Sequence, residues 1–115
     1  MGFLDLLRRK KSPDLDGEVL VQLRKAGSDL SKPHLIEFFL YLPSQSFAEE
    51  VARKVRASAF SAKVEPAAKG NDWLCLATKE MIPDLAALQK IRSDFDSLTR
   101  SMGGVYDGWG TPVVN

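Results

Sequence analysis

The chain has one cysteine and one histidine among its 115 residues, and this scarcity excludes several classes of protein. A single cysteine closes no intramolecular disulfide, so a reducing compartment is the natural setting. Cys75 lies in the apolar run Trp73 to Ala77, where a small buried hydrophobe fits. His34 alone cannot make a histidine-pair metal site. A His/Cys dyad would need a residue at the start of one strand to meet one in the middle of another. No apolar run reaches membrane-spanning length. The apolar part of the first eleven residues is too short for a signal-peptide core and lacks a small-residue cleavage site, so the cytoplasm is expected. A charge of one sign is missing too. Sixteen Lys and Arg face fifteen Asp and Glu, a formal net charge of +1, so no whole-protein field draws in nucleic acid or a membrane. No two carboxylates are set in an apolar stretch where their pKa values would separate. The glycine pairs lack the following lysine-bearing helix of a phosphate loop. The expectation is a protein with no catalytic centre, no metal and no cofactor.

What is present suits one domain, because a chain of this length hides roughly 65% of its unfolded surface on folding and needs no staple. Residues 1–14 divide into an apolar patch (Phe3, Leu4, Leu6, Leu7), a basic cluster (Arg8 to Lys11) and Ser12-Pro13. They read as a flexible tail, with an amphipathic surface anchor as the sharper alternative. Asp16 is placed to cap a helix over about 16–26 that exits through Gly27. His34 to Pro43 is an aromatic-rich strand bounded by turn residues. Ser46 and Glu49 match a capping box opening a helix over about 46–58. Phe60 to Pro66 and Asp72 to Lys79 pair as a hairpin across Lys69-Gly70-Asn71. Pro83 fits the first turn of a third helix, whose Leu85, Leu88, Ile91, Phe95, Leu98 and Met102 trace one face until Gly103-Gly104 stops it. A short strand over 105–110 and a tail over 111–115 complete the chain.

After the leading helix, the order strand, helix, strand, strand, helix, strand predicts an α+β, ferredoxin-like βαββαβ sandwich: an antiparallel four-stranded sheet with two helices on one face and an additional N-terminal helix. Side chains two apart share a face. Ile36, Phe38, Leu40 and Leu42 are therefore expected beneath the helices, joined by Leu74 and Leu76. The outer face is expected to show Leu35, Glu37, Phe39 and Tyr41, with Trp73, Cys75, Ala77 and Lys79 from the third strand and Lys63 and Glu65 from the second. Either the leading helix covers that face with Val19, Leu20 and Leu23, or the face is a partner platform.

Asp16-Gly17, Gly27-Ser-Asp-Leu30, Ile36 to Pro43, Trp73 to Ala77, Ile82-Pro-Asp-Leu85 and Tyr106-Asp-Gly-Trp109 stand in an order that resembles the regulator of ribonuclease E activity B family over about residues 15–110. The resemblance implies a bacterial, cytoplasmic, ferredoxin-like protein. Such a protein binds a ribonuclease E-type endonuclease or RNA-degradation assembly and inhibits RNA cleavage by contact, without chemistry. No contact residue carries over from the family. The candidate partner-binding residues come from strand alternation, namely Glu37, Phe39, Tyr41, Lys63 and Trp73, together with Asp16, Asp29 and Asp107 beside turns, where capping or turn formation is the ordinary role of an acid. The alternative is a single-stranded RNA-binding module that stacks bases on Phe39, Tyr41 and Trp73. It lacks the Lys/Arg-Gly-aromatic signature, and Glu37 and Glu65 balance Lys63 and Lys79.

Overall fold

The computed structural model describes residues 13–115, so the expected flexible tail lies almost wholly outside the described residues. In chain order the elements are α1 (Pro13–Lys25), β1 (His34–Leu42), α2 (Gln45–Ala57), β2 (Ser61–Pro66), β3 (Trp73–Met81), α3 (Leu85–Arg100) and β4 (Val105–Gly110). The sheet order is β2-β3-β1-β4, and every pairing is antiparallel. Each helix of the repeat thus crosses over an intervening strand, the split βαβ arrangement of the ferredoxin-like fold. The α+β sandwich with an extra leading helix is the one expected.

Element identities agree with the sequence reading, and the caps differ. Pro13 occupies the first turn of α1, where its missing N–H costs nothing. Asp16 lies one turn inside that helix and caps nothing. In α2 the N-cap is Ser44, whose Oγ accepts the Phe47 N–H at 3.2 Å, so the capping box expected at Ser46 and Glu49 does not form. In α3 the Asp84 carboxylate accepts the Ala87 N–H at 2.9 Å, and Pro83 precedes that cap.

All three helices end in the same double-bonded turn. Ser28 and Gly27 donate back to Leu23 and Arg24, Phe60 and Ala59 to Val55 and Arg56, and Gly104 and Gly103 to Thr99 and Arg100. This is the Schellman arrangement, which needs a left-handed residue just beyond the helix. Gly27 and Gly103 supply it at φ 97° and 74°, but the second helix uses Ala59 at φ 72°. A Cβ in that region is strained. Ala59→Gly is therefore expected to raise stability by about 0.5–1 kcal/mol, read from a denaturant midpoint; a loss of stability would refute the argument. Gly104 is needed for a different reason, since a Cβ there would collide with the Tyr41 carbonyl oxygen and with Leu42 Cδ1.

Ile36, Phe38, Leu40 and Leu42 are fully buried and form one core with Ala48, Val51, Ala52 and Val55 of α2 and Leu88 and Phe95 of α3. Phe38 meets Phe60 and Phe95 edge-on, with ring centroids 5.5 and 5.7 Å away. Alternation therefore placed β1 correctly. It placed β3 the wrong way round. Phe38 pairs with Ala77 and Leu40 with Cys75, and directly paired residues share a face. Cys75 and Ala77 are accordingly in the core at 0% exposure. Leu74 and Leu76 pair with Tyr41 and Phe39 on the far side. Both sets along β3 are apolar, so sequence alone could not choose between them. Small side chains belong opposite Phe38, where the Phe38, Phe60 and Phe95 rings already fill the space.

The leading helix also differs from one of its two expected roles. It packs against α3, with Leu23 in the core and Val19 and Leu20 against it. It lies on the helical side and leaves the other sheet face uncovered. The last five residues are tied down. Val114 O accepts the Asp29 N–H at 2.6 Å, and Val114 N donates to Ser28 Oγ at 3.0 Å.

Candidate functional site: the open sheet face

Strand register defines this face. Across β1 and β3 it pairs Leu35 with Glu80, Glu37 with Thr78, Phe39 with Leu76 and Tyr41 with Leu74. Across β2 and β3 it sets Lys63 beside Leu76 and Glu65 beside Leu74, while β4 adds Val105 beside Tyr41. An apolar band thus crosses the sheet, from Val105 through Tyr41 to Leu74 in one row, with Phe39 and Leu76 in the next. Leu35 and Val105 are 57% and 60% exposed, whereas Leu74 is shielded by its neighbours to 8%. Leu74 nonetheless stands outside the main core cluster. Lys63 reaches Glu65 at 3.5 Å.

Of the expected site residues, Glu37, Phe39, Tyr41 and Lys63 meet on this face. Trp73 does not. It pairs with Leu42 and Pro66 and packs half-buried against the helical core. Lys79 likewise lies on the helical side, its Nζ 4.8 Å from the Phe60 ring centre. Leu35 lies there too, as alternation expected; the residues that strand alternation missed are Leu74, Leu76 and Glu80. A cross-strand register would have found them, but one strand's pattern cannot supply it.

The three acids beside turns have separate fates. Asp29 does turn work, its Oδ1 accepting the Ser31 N–H and O–H at 3.0 and 2.6 Å; those bonds hold its carboxyl below the usual range. Asp107 sits in a bulge where two residues of β4 oppose Phe39, beside Gly108 at φ 94°. It lines a shallow groove with Glu18, Gln22 and Arg92.

Asp16 is fully buried. Its carboxylate accepts Arg92 Nε and Nη2 at 3.0 and 2.9 Å and Trp109 Nε1 at 3.0 Å. The bonds it donates to Asp16 hold the Arg92 guanidinium above its ordinary value. Arg92 in turn covers the Tyr106 ring at 5.2 Å. Burial raises the Tyr106 hydroxyl well above its usual range, and it meets no hydrogen-bond partner among the described residues. Three distant pieces of chain, Asp16-Gly17, Arg92 and Tyr106 to Trp109, thereby become one junction. The family model described as regulator of ribonuclease activity B matches residues 14–111. The chain belongs to that family. A search of curated proteins finds no match.

As a family member, the chain is a regulator of ribonuclease activity, and the Asp16 junction locks the leading helix of that regulator in place. His34 and Cys75 are both part of the packing. His34 is fully buried, Nδ1 lying 2.8 Å from the Lys32 carbonyl and Nε2 2.6 Å from Ser28 Oγ. Ser28 in turn accepts the Val114 N–H, so the pair fastens the C-terminal residues. Cys75 lies beside Leu40, six residues along β1 from His34, or about 20 Å. Burial pushes the Cys75 thiol up to about 11. Among the described residues no group of three His, Cys, Asp or Glu could hold a metal ion, and no helix is long and apolar enough to cross a membrane.

A thiol raised above its unfolded value contributes stability that is complete below about pH 8.5 and is lost as pH rises through about 11. Native protein is therefore expected to react with a thiol reagent at neutral pH orders of magnitude more slowly than denatured protein. Equal rates would mean that the β3 register is wrong.

Proposed function

We propose that this regulator acts by contact alone, seating a ribonuclease E-type endonuclease or its RNA-degradation assembly on the open sheet face and inhibiting RNA cleavage in the bacterial cytoplasm. One observation carries the reading: all three helices pack on one side of the sheet and leave a half-exposed Phe39, Tyr41 and Leu76 beside an exposed Val105 on the other. A contiguous apolar band with aromatic members is the kind of surface that anchors a protein partner. Glu37 and Lys63 border the band, while Asp107 lies in the β4 bulge and lines the groove on the helical side. Trp73 and Asp16 belong to the packing of the domain and are left out of this interface. Family membership supports a ribonuclease as the target.

The test is binding and RNA-cleavage inhibition with a purified ribonuclease E-type endonuclease. The intact regulator should bind and slow cleavage, and Phe39→Ala with Tyr41→Ala should weaken binding at least about tenfold without changing the circular dichroism spectrum. A regulator that neither binds nor inhibits would overturn the proposal.

The RNA-binding alternative draws on the aromatic pair Phe39 and Tyr41 on a central strand, the position where base-stacking platforms carry their rings. It is weakened by charge, since phosphate contacts need cations and this face carries more acids than bases.

A further inference from the structure

We infer that the segment received by the open face is basic and amphipathic, a stretch of partner protein with apolar anchors flanked by Lys or Arg. This deepens the reading just proposed and rests on it.

The charge layout carries the inference. The strands put three carboxylates on the face, Glu37, Glu65 and Glu80, against one cation, Lys63, and the β2–β3 loop adds one charge of each sign beside Tyr41, Lys69 and Asp72. Lys63 is already engaged with Glu65. Among the described residues, Glu37 and Glu80 have no ion-pair partner, and both are exposed. They are also neighbours. Glu37 is paired with Thr78, and Glu80 is two residues further along β3 on the same face, a diagonal spacing of about 7–8 Å. Successive cations on one face of a helix stand about 5–6 Å apart and would reach both carboxylates. Immediately beyond Glu37 and Thr78 comes the apolar row of Phe39 and Leu76, then Tyr41, Leu74 and Val105. An occupant complementary to this surface places apolar side chains over the rings and cations over the acid end. A nucleic-acid backbone would set phosphates against Glu37 and Glu80, and an acidic segment would be repelled in the same way.

The experiment uses the full chain and fluorescence anisotropy with three labelled probes: a short amphipathic Leu/Lys peptide, its Leu/Glu counterpart and a short single-stranded RNA. The Leu/Lys peptide should bind, with affinity falling as salt rises, while the other two should not. Glu37→Lys combined with Glu80→Lys should reduce peptide affinity at least about tenfold, or about 1.4 kcal/mol. Glu49→Lys, an exposed charge on α2, should leave it unchanged. Preference for the Leu/Glu peptide or RNA, or an equal loss from Glu49→Lys, overturns the inference. The double variant is then assayed with the ribonuclease. Retained inhibition in a double variant, together with loss in Phe39→Ala, rejects the basic occupant and keeps the face. Inhibition unaffected by any of these substitutions rejects the face itself.

Discussion

Replacing Asp16 with Ala is expected to cost about 3–5 kcal/mol of folding stability, because it breaks a buried ion pair by removing one partner only. The carboxylate is fully buried and accepts three bonds, two from Arg92 and one from the Trp109 indole. Without it the guanidinium, whose side chain is only 15% exposed, and the Trp109 N–H keep their desolvation and lose their acceptor. Asp16→Asn retains the shape and an acceptor but not the charge, and should cost less. Replacing both members, Asp16→Leu with Arg92→Met, should recover part of the loss, since a matched apolar pair leaves no stranded charge. Urea denaturation of the three variants measures this. A loss below about 1 kcal/mol for Asp16→Ala, the size of an exposed salt bridge, would contradict the burial of this junction. Because the junction joins α1 to α3 and β4, the α1 amides should lose hydrogen-exchange protection first.

Adjacent residues Phe38 and Phe39 are expected to behave oppositely. Phe38 is fully buried, with edge contacts to Phe60 and Phe95. Phe38→Ala should cost about 3–5 kcal/mol, the usual toll of a large aromatic removed from a packed core. Phe39 faces the other way, paired with Leu76 and half-exposed. Phe39→Ala should cost about 1 kcal/mol, while taking most of its effect on partner binding. Stability from denaturant melts and affinity from ribonuclease binding separate the two. Equal destabilisation would mean that the outer face is buried in the free protein.

Much of this was legible in the residues. The 3.6 spacing of α3, the capping serines and acids near each helix start and the aromatic alternation of β1 gave the element order, and that order gave the ferredoxin-like sandwich. Glu37, Phe39, Tyr41 and Lys63 were placed on the outer face correctly, because the opposite set in β1 is wholly apolar and had to go under the helices. The caps of α2 and α3 slipped by one or two residues, since Ser44 and Ser46, or Pro83 and Asp84, are competing local solutions within a single turn. Trp73 was misplaced because β3 is apolar on both sides, and its face depends on which β1 residue it pairs with.

The role of Asp16 was beyond local reasoning altogether. An acid followed by glycine at the head of a helix looks like a cap, and only the return of Arg92 and Trp109, 76 and 93 residues further along, makes it a buried anchor. Neighbours along the chain set the element types, the glycine exits of the first and third helices and the inward set of β1. The tertiary structure alone decided the register of β3 against β1, the side of the sheet taken by α1 and the burial of Asp16. Each depends on contacts between residues far apart in sequence, whose free energies appear only once the strands and helices are packed.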